Sequence, residues 1–189
     1  GCQLPPAPAR SCPACFQAKF RFERCIALGE YEGLLRELVL RTKRSAGESL
    51  AMALGNALAV RCYERLAAEP CDLVAPIPRH WTRRMWHGID SPTLLAEAVG
   101  RQLAIPVATK LLVRRRATAP QTELPPSRRE SNLRDALAVR PRYRIQDARI
   151  LVVDDIMTTG STANSAARVL RAAGAARVEV AVLARSHAR

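Results

Sequence analysis

Apolar residues along the chain fall into two patterns: short continuous runs, and longer stretches in which they recur every three to four positions. Short runs are typical of buried parallel strands, and the longer stretches are typical of helices with one apolar face. The runs predict strands at residues 25–31, 72–77, 105–107, 111–113, 149–153 and 178–183. The longer stretches predict helices at residues 34–40, 47–68, 92–103 and 163–173. Strands that alternate with helices in this way form a parallel sheet covered on both faces, so we expect an α/β fold.

A segment rich in carboxyl and hydroxyl groups follows the strand predicted at 149–153. Asp154 and Asp155 come first. The residues that lead into the next helix carry hydroxyl groups or a flexible backbone: Thr158, Thr159, Gly160, Ser161 and Thr162. Ligands bind at the carboxyl ends of parallel strands, and the free N–H groups and dipole of a helix N-terminus favour an anion. The segment therefore predicts a phosphate-binding loop in which glycine allows the backbone to approach closely.

The two carboxylates would repel a bare phosphate. They suit a ligand that also carries hydroxyl groups or a metal ion, because hydroxyl groups can donate to the carboxylates while backbone amides hold the phosphate. A sugar phosphate meets both conditions. The alternative is an ordinary turn, in which an aspartate at the strand end caps the helix and the Thr and Ser residues are common turn formers.

Length and composition limit the protein class. The 189 residues suit one domain with a small appendage, and a hydrophobic content of 48% is ample for a core. No run approaches about 18 uninterrupted apolar residues, so we expect no membrane span. The first residues lack a basic-then-apolar signal pattern, so we expect a cytoplasmic protein. Because residue 1 is Gly rather than Met, we also expect the chain to be incomplete at its start.

The net charge of +13 invites a nucleic-acid interpretation. We discount it, because 27 Arg against 3 Lys suggests a GC-rich coding sequence as much as selection for binding nucleic acid. Residues 110–149 carry 11 basic and 4 acidic side chains, a local charge of +7 that would also suit a highly anionic small molecule. Aromatic content is only 4%, so no stacking platform for single strands is apparent. Any nucleic-acid binding should therefore be electrostatic and independent of sequence.

The N-terminal cysteines have a spacing typical of zinc knuckles. Cys12 and Cys15 form the pair, but a structural zinc site usually takes four ligands. Either Cys2 and Cys25 complete the site or a second pair lies upstream of residue 1. The alternative is a metal-free N-terminal segment.

Several further stretches carry a family resemblance. Tyr31-Glu32-Gly33 with the basic turn at Lys43, and the Pro76-Ile77-Pro78 turn, match features that follow one another in the same order in one known family. A flexible-loop pattern of that family matches at Arg116, Thr118, Gln121, Leu124, Arg129 and Asn132. Segment 151–162 resembles the phosphoribosyl pyrophosphate (PRPP) motif of type I phosphoribosyltransferases. Residues 25–185 as a whole resemble the ComF family, the competence-associated branch of that superfamily, and residues 12–15 resemble the last half of its zinc ribbon.

The resemblance implies a fold, a reaction and roles for individual residues. The fold is a type I phosphoribosyltransferase-like parallel sheet flanked by helices at 23–189, preceded by a zinc-ribbon remnant at 1–22. The reaction is transfer of the phosphoribosyl group of PRPP to a nitrogen acceptor, with Mg²⁺ assisting release of pyrophosphate. Asp154 and Asp155 hold the ribose hydroxyls, and Arg116 belongs to a loop, 114–129, that closes over the site.

Binding roles follow from the same resemblance. The 5′-phosphate is held by Thr158, Thr159, Gly160, Ser161 and Thr162. The pyrophosphate is held by the turn at Pro78, Arg79 and His80.

One stretch departs from the family pattern. Residues 84–91 carry His87 where the family usually has Arg, and Asp90 where it has Asn. A fixed positive charge thereby becomes a titratable one. Three functional classes stay open: a phosphoribosyltransferase, a non-catalytic PRPP-binding regulator or accessory protein in DNA uptake, and a protein that binds another phosphosugar. The acceptor, a homodimer and bound zinc also stay open.

Overall fold

The computed structural model describes residues 20–44, 46–78, 90–114 and 136–186. The strands are β1 (Arg24–Glu30), β2 (Leu73–Pro76), β3 (Leu112–Arg114), β4 (Leu137–Val139), β5 (Arg149–Met157) and β6 (Arg177–Arg185). The helices are α1 (Gly33–Arg41), α2 (Glu48–Leu66), α3 (Ser91–Leu103) and α4 (Ser161–Ala172). Each helix predicted from the apolar pattern is present, with ends that differ by one or two residues.

Among the described residues the main sheet has four strands in the order β1-β6-β5-β2, and every pair in it is parallel. Its central strands β5 and β6 are nearly continuous runs of apolar residues, because both of their faces are covered. In this register Pro76 lies opposite Val153, and Asp154 lies opposite Val182. The predicted parallel α/β sheet is confirmed, and the carboxyl ends of β2 and β5 lie side by side.

Two layers of apolar side chains cover the two faces of the sheet. On one face, Val152 and Val180 pack with Leu170 of α4. On the other face, Leu151 and Leu183 pack with side chains of α1, α2 and α3. Burial of these aliphatic faces supplies most of the driving force for folding. The helices therefore cover both faces of the sheet, and the ends of its strands are the places where a ligand site can form.

The prediction of a strand at 105–107 is wrong. Only an isolated parallel bridge forms there, between Val107 and Val74. The Val74 N–H donates to the carbonyl of Pro106 at 2.9 Å, and the Ala108 N–H donates to the carbonyl of Val74 at 2.8 Å. Because proline has no N–H, this segment cannot continue a ladder of hydrogen bonds in the sheet.

Two further differences concern strand extent. The strand predicted at 149–153 continues to Met157, because its pairing with β6 runs on to Met157 opposite Arg185. Asp154 and Asp155 consequently lie inside the last part of β5 rather than after it. The short strand β4 has no counterpart among the predicted strands, and it pairs antiparallel with β3 as a separate two-stranded sheet. Three residues are too few to show a period in the sequence.

The predicted boundary of the N-terminal appendage at residue 22 stays a prediction. Residues 1–19 lie outside the described residues. Phe22 is buried in the core, and its ring stacks on that of Phe20 at a centroid distance of 4.6 Å.

Candidate ligand-binding site at the carboxyl edge of the sheet

The chain turns sharply between β5 and α4. Gly160 is the N-cap residue of α4 and has a left-handed φ of 76°, which side chains with a β-carbon rarely adopt. A β-carbon at this position would lie 3.0 Å from the ring of Phe20. Glycine is therefore favoured here for two reasons, its backbone conformation and the close approach of Phe20.

The first turn of α4 has the features of an anion site. The helix begins at Ser161 and has no acidic residue in its first turn. The hydroxyl groups of Thr159 and Ser161 lie 3.0 Å apart, and both lie at the protein surface or close to it. Helix N-termini carry N–H groups without intrahelical partners and a partial positive charge. The loop 158–162 can therefore offer hydroxyl and amide donors to one anion.

The acidic pair lies two residues before this loop, and a hydrogen bond joins the two aspartates. The Asp155 N–H donates to Asp154 Oδ1 at 2.8 Å. Lys43, in the turn that follows α1, places Nζ 3.1 Å from Asp155 Oδ2. The side chains of Lys43 and Asp155 are only 25% and 14% exposed. The pair is therefore more than a surface contact, because both charges are partly withdrawn from water.

Arg114 supplies a second cation at the acidic pair. It ends β3, and its Nε donates to the carbonyl of Pro78 at 2.9 Å. Burial lowers the pKa of Arg114 from its ordinary value, and the negative charge of Asp154 acts in the opposite direction. An arginine remains charged in proteins despite such a shift. Arg114 thus donates a hydrogen bond to Pro78 and interacts electrostatically with Asp154.

Ile77 and Pro78, which follow β2, lie at the same edge. The Ile77 N–H donates to the carbonyl of Val153 at 2.9 Å, so the ladder with β5 continues to the last residues before Pro78. Pro78 is partly exposed at this edge. The structure therefore brings three of the predicted site elements to one edge of the sheet: Pro78, the acidic pair and the 158–162 loop.

The remaining predicted site residues lie outside the described residues. These are Arg79, His80, Arg116, Cys12 and Cys15. Residues 115–129 of the closing loop predicted at 114–129, and most of the departing stretch 84–91, lie outside as well. Their roles, and zinc binding by the cysteines, stay predictions.

Two residues at the site have no individual role in the predictions made from the sequence. Lys43 enters them only as part of a basic turn, and Arg114 only as the first residue of the closing loop. A local pattern cannot place Lys43 at Asp155, because 112 positions of chain separate them. The excess of basic residues at 110–149 is the one signal that points toward Arg114.

Within the described ranges, no helix is both long enough and apolar enough to cross a membrane.

Comparison with known proteins identifies relatives of the chain. A family model for the phosphoribosyl transferase domain matches residues 93–189. The DNA utilization protein YhgH of Salmonella typhimurium is 30% identical over 190 residues, which cover 98% of this chain and 82% of that protein. Competence protein F of Haemophilus influenzae is 28% identical over 182 residues, which cover 94% of this chain and 80% of that protein.

Among solved structures, the glutamine PRPP amidotransferase of B. subtilis is similar with a TM-score of 0.51 and 24% sequence identity. The similarity covers 78% of this chain and 30% of that enzyme's chain, so it concerns the fold alone.

Proposed function

Because the chain belongs to the phosphoribosyl transferase family, and within it to the ComF family of competence proteins, we propose that it binds PRPP at the carboxyl edge of its sheet. One observation carries the proposal. The partly buried pair Asp154 and Asp155 lies in the last part of β5, shortly before a hydroxyl-rich loop at the N-terminus of α4 in which Thr158 and Thr159 are exposed. A phosphorylated sugar has the hydroxyl groups for the first feature and the anion for the second.

The same geometry suggests how the ligand would lie. Carboxylate oxygens of Asp154 and Asp155 would accept hydrogen bonds from the ribose hydroxyls. The amides and hydroxyls of 158–162 would hold the 5′-phosphate, since a helix N-terminus favours an anion. The pyrophosphate would then extend toward the turn at Pro78, where the predicted contacts of Arg79 and His80 follow.

We propose further that the ligand reacts by substitution at the ribose anomeric carbon. The bond from this carbon to pyrophosphate breaks, a bond to a nitrogen acceptor forms, and the acceptor loses its proton. This reaction needs no covalent residue on the protein. The contribution of the chain is to orient the ribose through Asp154 and Asp155 and to hold both anionic ends in place.

Mg²⁺ fits this arrangement only together with the ligand. No group of three or more His, Cys, Asp or Glu side chains within the described ranges could hold a metal. Mg²⁺ commonly takes one or two protein carboxylates and completes its shell with substrate phosphates and water. Asp154 and Asp155 would supply the carboxylate ligands from the protein, and the ion would neutralise charge on the leaving pyrophosphate.

Isothermal titration calorimetry with PRPP, with and without Mg²⁺, tests binding. We expect saturable binding to the wild type, and its loss in the double variant Asp154→Asn with Asp155→Asn. Asp147→Asn is a matched control, because Asp147 has a φ of 57°, which Asn also tolerates. Equal affinity in the double variant would contradict the assignment of the ribose site.

Catalysis is tested separately, by following pyrophosphate release from PRPP with a panel of purine, pyrimidine and amine acceptors. Release that depends on one acceptor and disappears in the double variant supports the transferase. Binding without release for any acceptor supports a second candidate, a non-catalytic PRPP-binding protein that acts in DNA uptake or use. The names of the relatives favour this candidate.

A further inference from the structure

The site contains an electrostatic conflict. Asp154 and Asp155 lie a few residues before a loop that is suited to an anion, separated from it by the last two residues of β5. Two carboxylates would repel a phosphorylated ligand over the short distances within one site. Positive charge, however, acts on both carboxylates. Lys43 Nζ lies 3.1 Å from Asp155 Oδ2, and Asp154 interacts electrostatically with Arg114.

Lys43 comes from a part of the chain outside the matched domain, which begins at residue 93. The strand β1 pairs in parallel with β6 at the edge of the sheet, and α1 follows it directly. Val39 of α1 is fully buried against the sheet face that carries Leu183. The packing of β1 and α1 on the sheet therefore holds the turn after α1 in place, and the side chain of Lys43 in this turn reaches Asp155 at the end of β5.

The turn that carries Lys43 is built from several hydrogen bonds. The buried Thr42 donates its hydroxyl to the Val39 carbonyl at 2.8 Å and its N–H to the Leu38 carbonyl at 3.0 Å. At the end of the turn, a β-carbon on Gly47 would lie 2.6 Å from the Thr42 carbonyl oxygen, so only glycine fits. These contacts fix the backbone on both sides of Lys43.

Arg41 and Lys43, two basic residues at the end of α1 and in the turn after it, differ in their exposure and in their acidic partners. Arg41 is 60% exposed and lies 3.9 Å from Glu37 on the same helix, which is a weak surface pair. Lys43 instead meets a carboxylate that is largely withdrawn from water. Removing both charges from water costs free energy, so the ion pair by itself contributes little to the stability of the fold. Removing only one partner is unfavourable, because the other charge then stays partly buried without an opposite charge.

We propose that Lys43 is a positioning residue of the PRPP site: it holds Asp155 in one orientation and neutralises it, so that the acidic pair can accept ribose hydroxyls without repelling the phosphates. This inference rests on the proposed function. It also assigns the N-terminal part of the chain a role in the ligand site.

The test compares the PRPP affinity of the wild type, Lys43→Met, Lys43→Arg and the control Lys110→Met by calorimetry. Lys110 is an exposed lysine in the turn before β3. We expect Lys43→Met to weaken binding by about tenfold or more, because it removes the cation that faces Asp155. Lys43→Arg should recover part of the loss because it keeps the charge, and Lys110→Met should bind as the wild type does.

A double-mutant cycle separates positioning from a general structural role. In an Asp155→Asn background, Lys43→Met should change the residual affinity for PRPP less than about twofold, since the partner charge is already absent. Where Lys43→Met fails to fold, Lys43→Gln replaces it, because it removes the charge and keeps a polar side chain.

The outcomes are distinct. A wild type that does not bind PRPP overturns the proposed function, and this inference with it. A wild type that binds, with a folded Lys43→Met variant of equal or higher affinity, overturns the inference alone. Equal losses from Lys43→Met with and without Asp155→Asn would also overturn it, because Lys43 would then act independently of Asp155.

Discussion

Two clusters of acidic and basic side chains lie at opposite ends of the central strands. At the carboxyl end, Asp155 pairs with Lys43 beside an exposed loop. At the amino end, Glu179 of β6 is 1% exposed, with its Oε1 3.1 Å from Arg177 Nε and 3.9 Å from Arg24 Nε. Neither carboxylate oxygen of Glu179 has a hydrogen-bond partner within the described part of the chain.

The amino-end cluster is closed by its surroundings. The thiols of Cys62 and Cys71 lie near Glu179, and burial raises the pKa of each thiol to about 12. Arg177 also pairs with Glu69, and Arg24 donates to the carbonyl of Arg65. Each of the two arginines therefore has a partner in α2 or in the segment that follows it. The carboxylate of Glu179 is buried beneath these contacts and is not accessible to a ligand.

The contrast shows that an ion pair does not by itself make a site. Both clusters contain a largely buried carboxylate and a cation. Of the two, the carboxyl-end cluster is the one that adjoins a helix N-terminus and a loop with the exposed hydroxyl groups of Thr158 and Thr159. The two clusters differ in their position: the ligand-binding candidate lies at the carboxyl ends of parallel strands, where the loops that follow the strands can contact a ligand.

The sharpest test of this contrast removes the buried carboxylate. Glu179→Ala should lower the free energy of unfolding by about 3 kcal/mol, because it leaves a cavity and two guanidinium groups with one partner fewer. The affinity of the folded variant for PRPP should stay within about twofold of wild type, since the two clusters lie at opposite ends of the strands. Urea unfolding and calorimetry measure the two effects. A loss of PRPP affinity without a loss of stability would break the comparison.

A second prediction concerns the glycine at the loop. Gly160→Ala should destabilise the protein by about 1–2 kcal/mol through its left-handed backbone, and further through contact with Phe20. Gly33→Ala is the matched control, because Gly33 has a φ of 48° and a β-carbon there would meet no atom of the described residues within 4 Å. Thermal unfolding should show the larger loss for Gly160→Ala. Equal losses of stability would show that the Phe20 ring moves away from the new β-carbon without lowering the free energy of unfolding.

The smallest expected effect is a pH dependence at the amino end. Burial raises the pKa of Glu179 above its ordinary value of 4.5, and the charges of Arg24 and Arg177 act in the opposite direction. The protonated carboxyl therefore contributes stability that is fully present below the unfolded pKa and is lost as the pH rises through the raised folded pKa.

Glu179→Gln stays neutral throughout, so its free energy of unfolding relative to wild type should increase as the pH rises from about 4.5. Urea unfolding at a series of pH values measures this difference. A difference that does not change with pH would show that Glu179 titrates alike in the folded and unfolded chain.

The local pattern of the sequence determined most of the fold. The runs of apolar residues at β5 and β6 indicated strands buried on both faces, and the four main helices followed from their periodicity. The Asp154–Asp155 pair and the glycine before α4 pointed to the carboxyl edge, because strand end, loop and helix start are adjacent in sequence. Such features are encoded within a dozen residues and need no distant partner.

Tertiary structure decided the rest. The continuation of β5 to Met157 depends on pairing with β6, and the β3–β4 pair joins segments on either side of a long stretch of chain. The cations of the site likewise come from elsewhere, Lys43 from the turn after α1 and Arg114 from β3. A sequence shows which residues carry charge, but the partner of each charge depends on how the sheet brings distant turns to one edge, and that follows from packing of the whole domain.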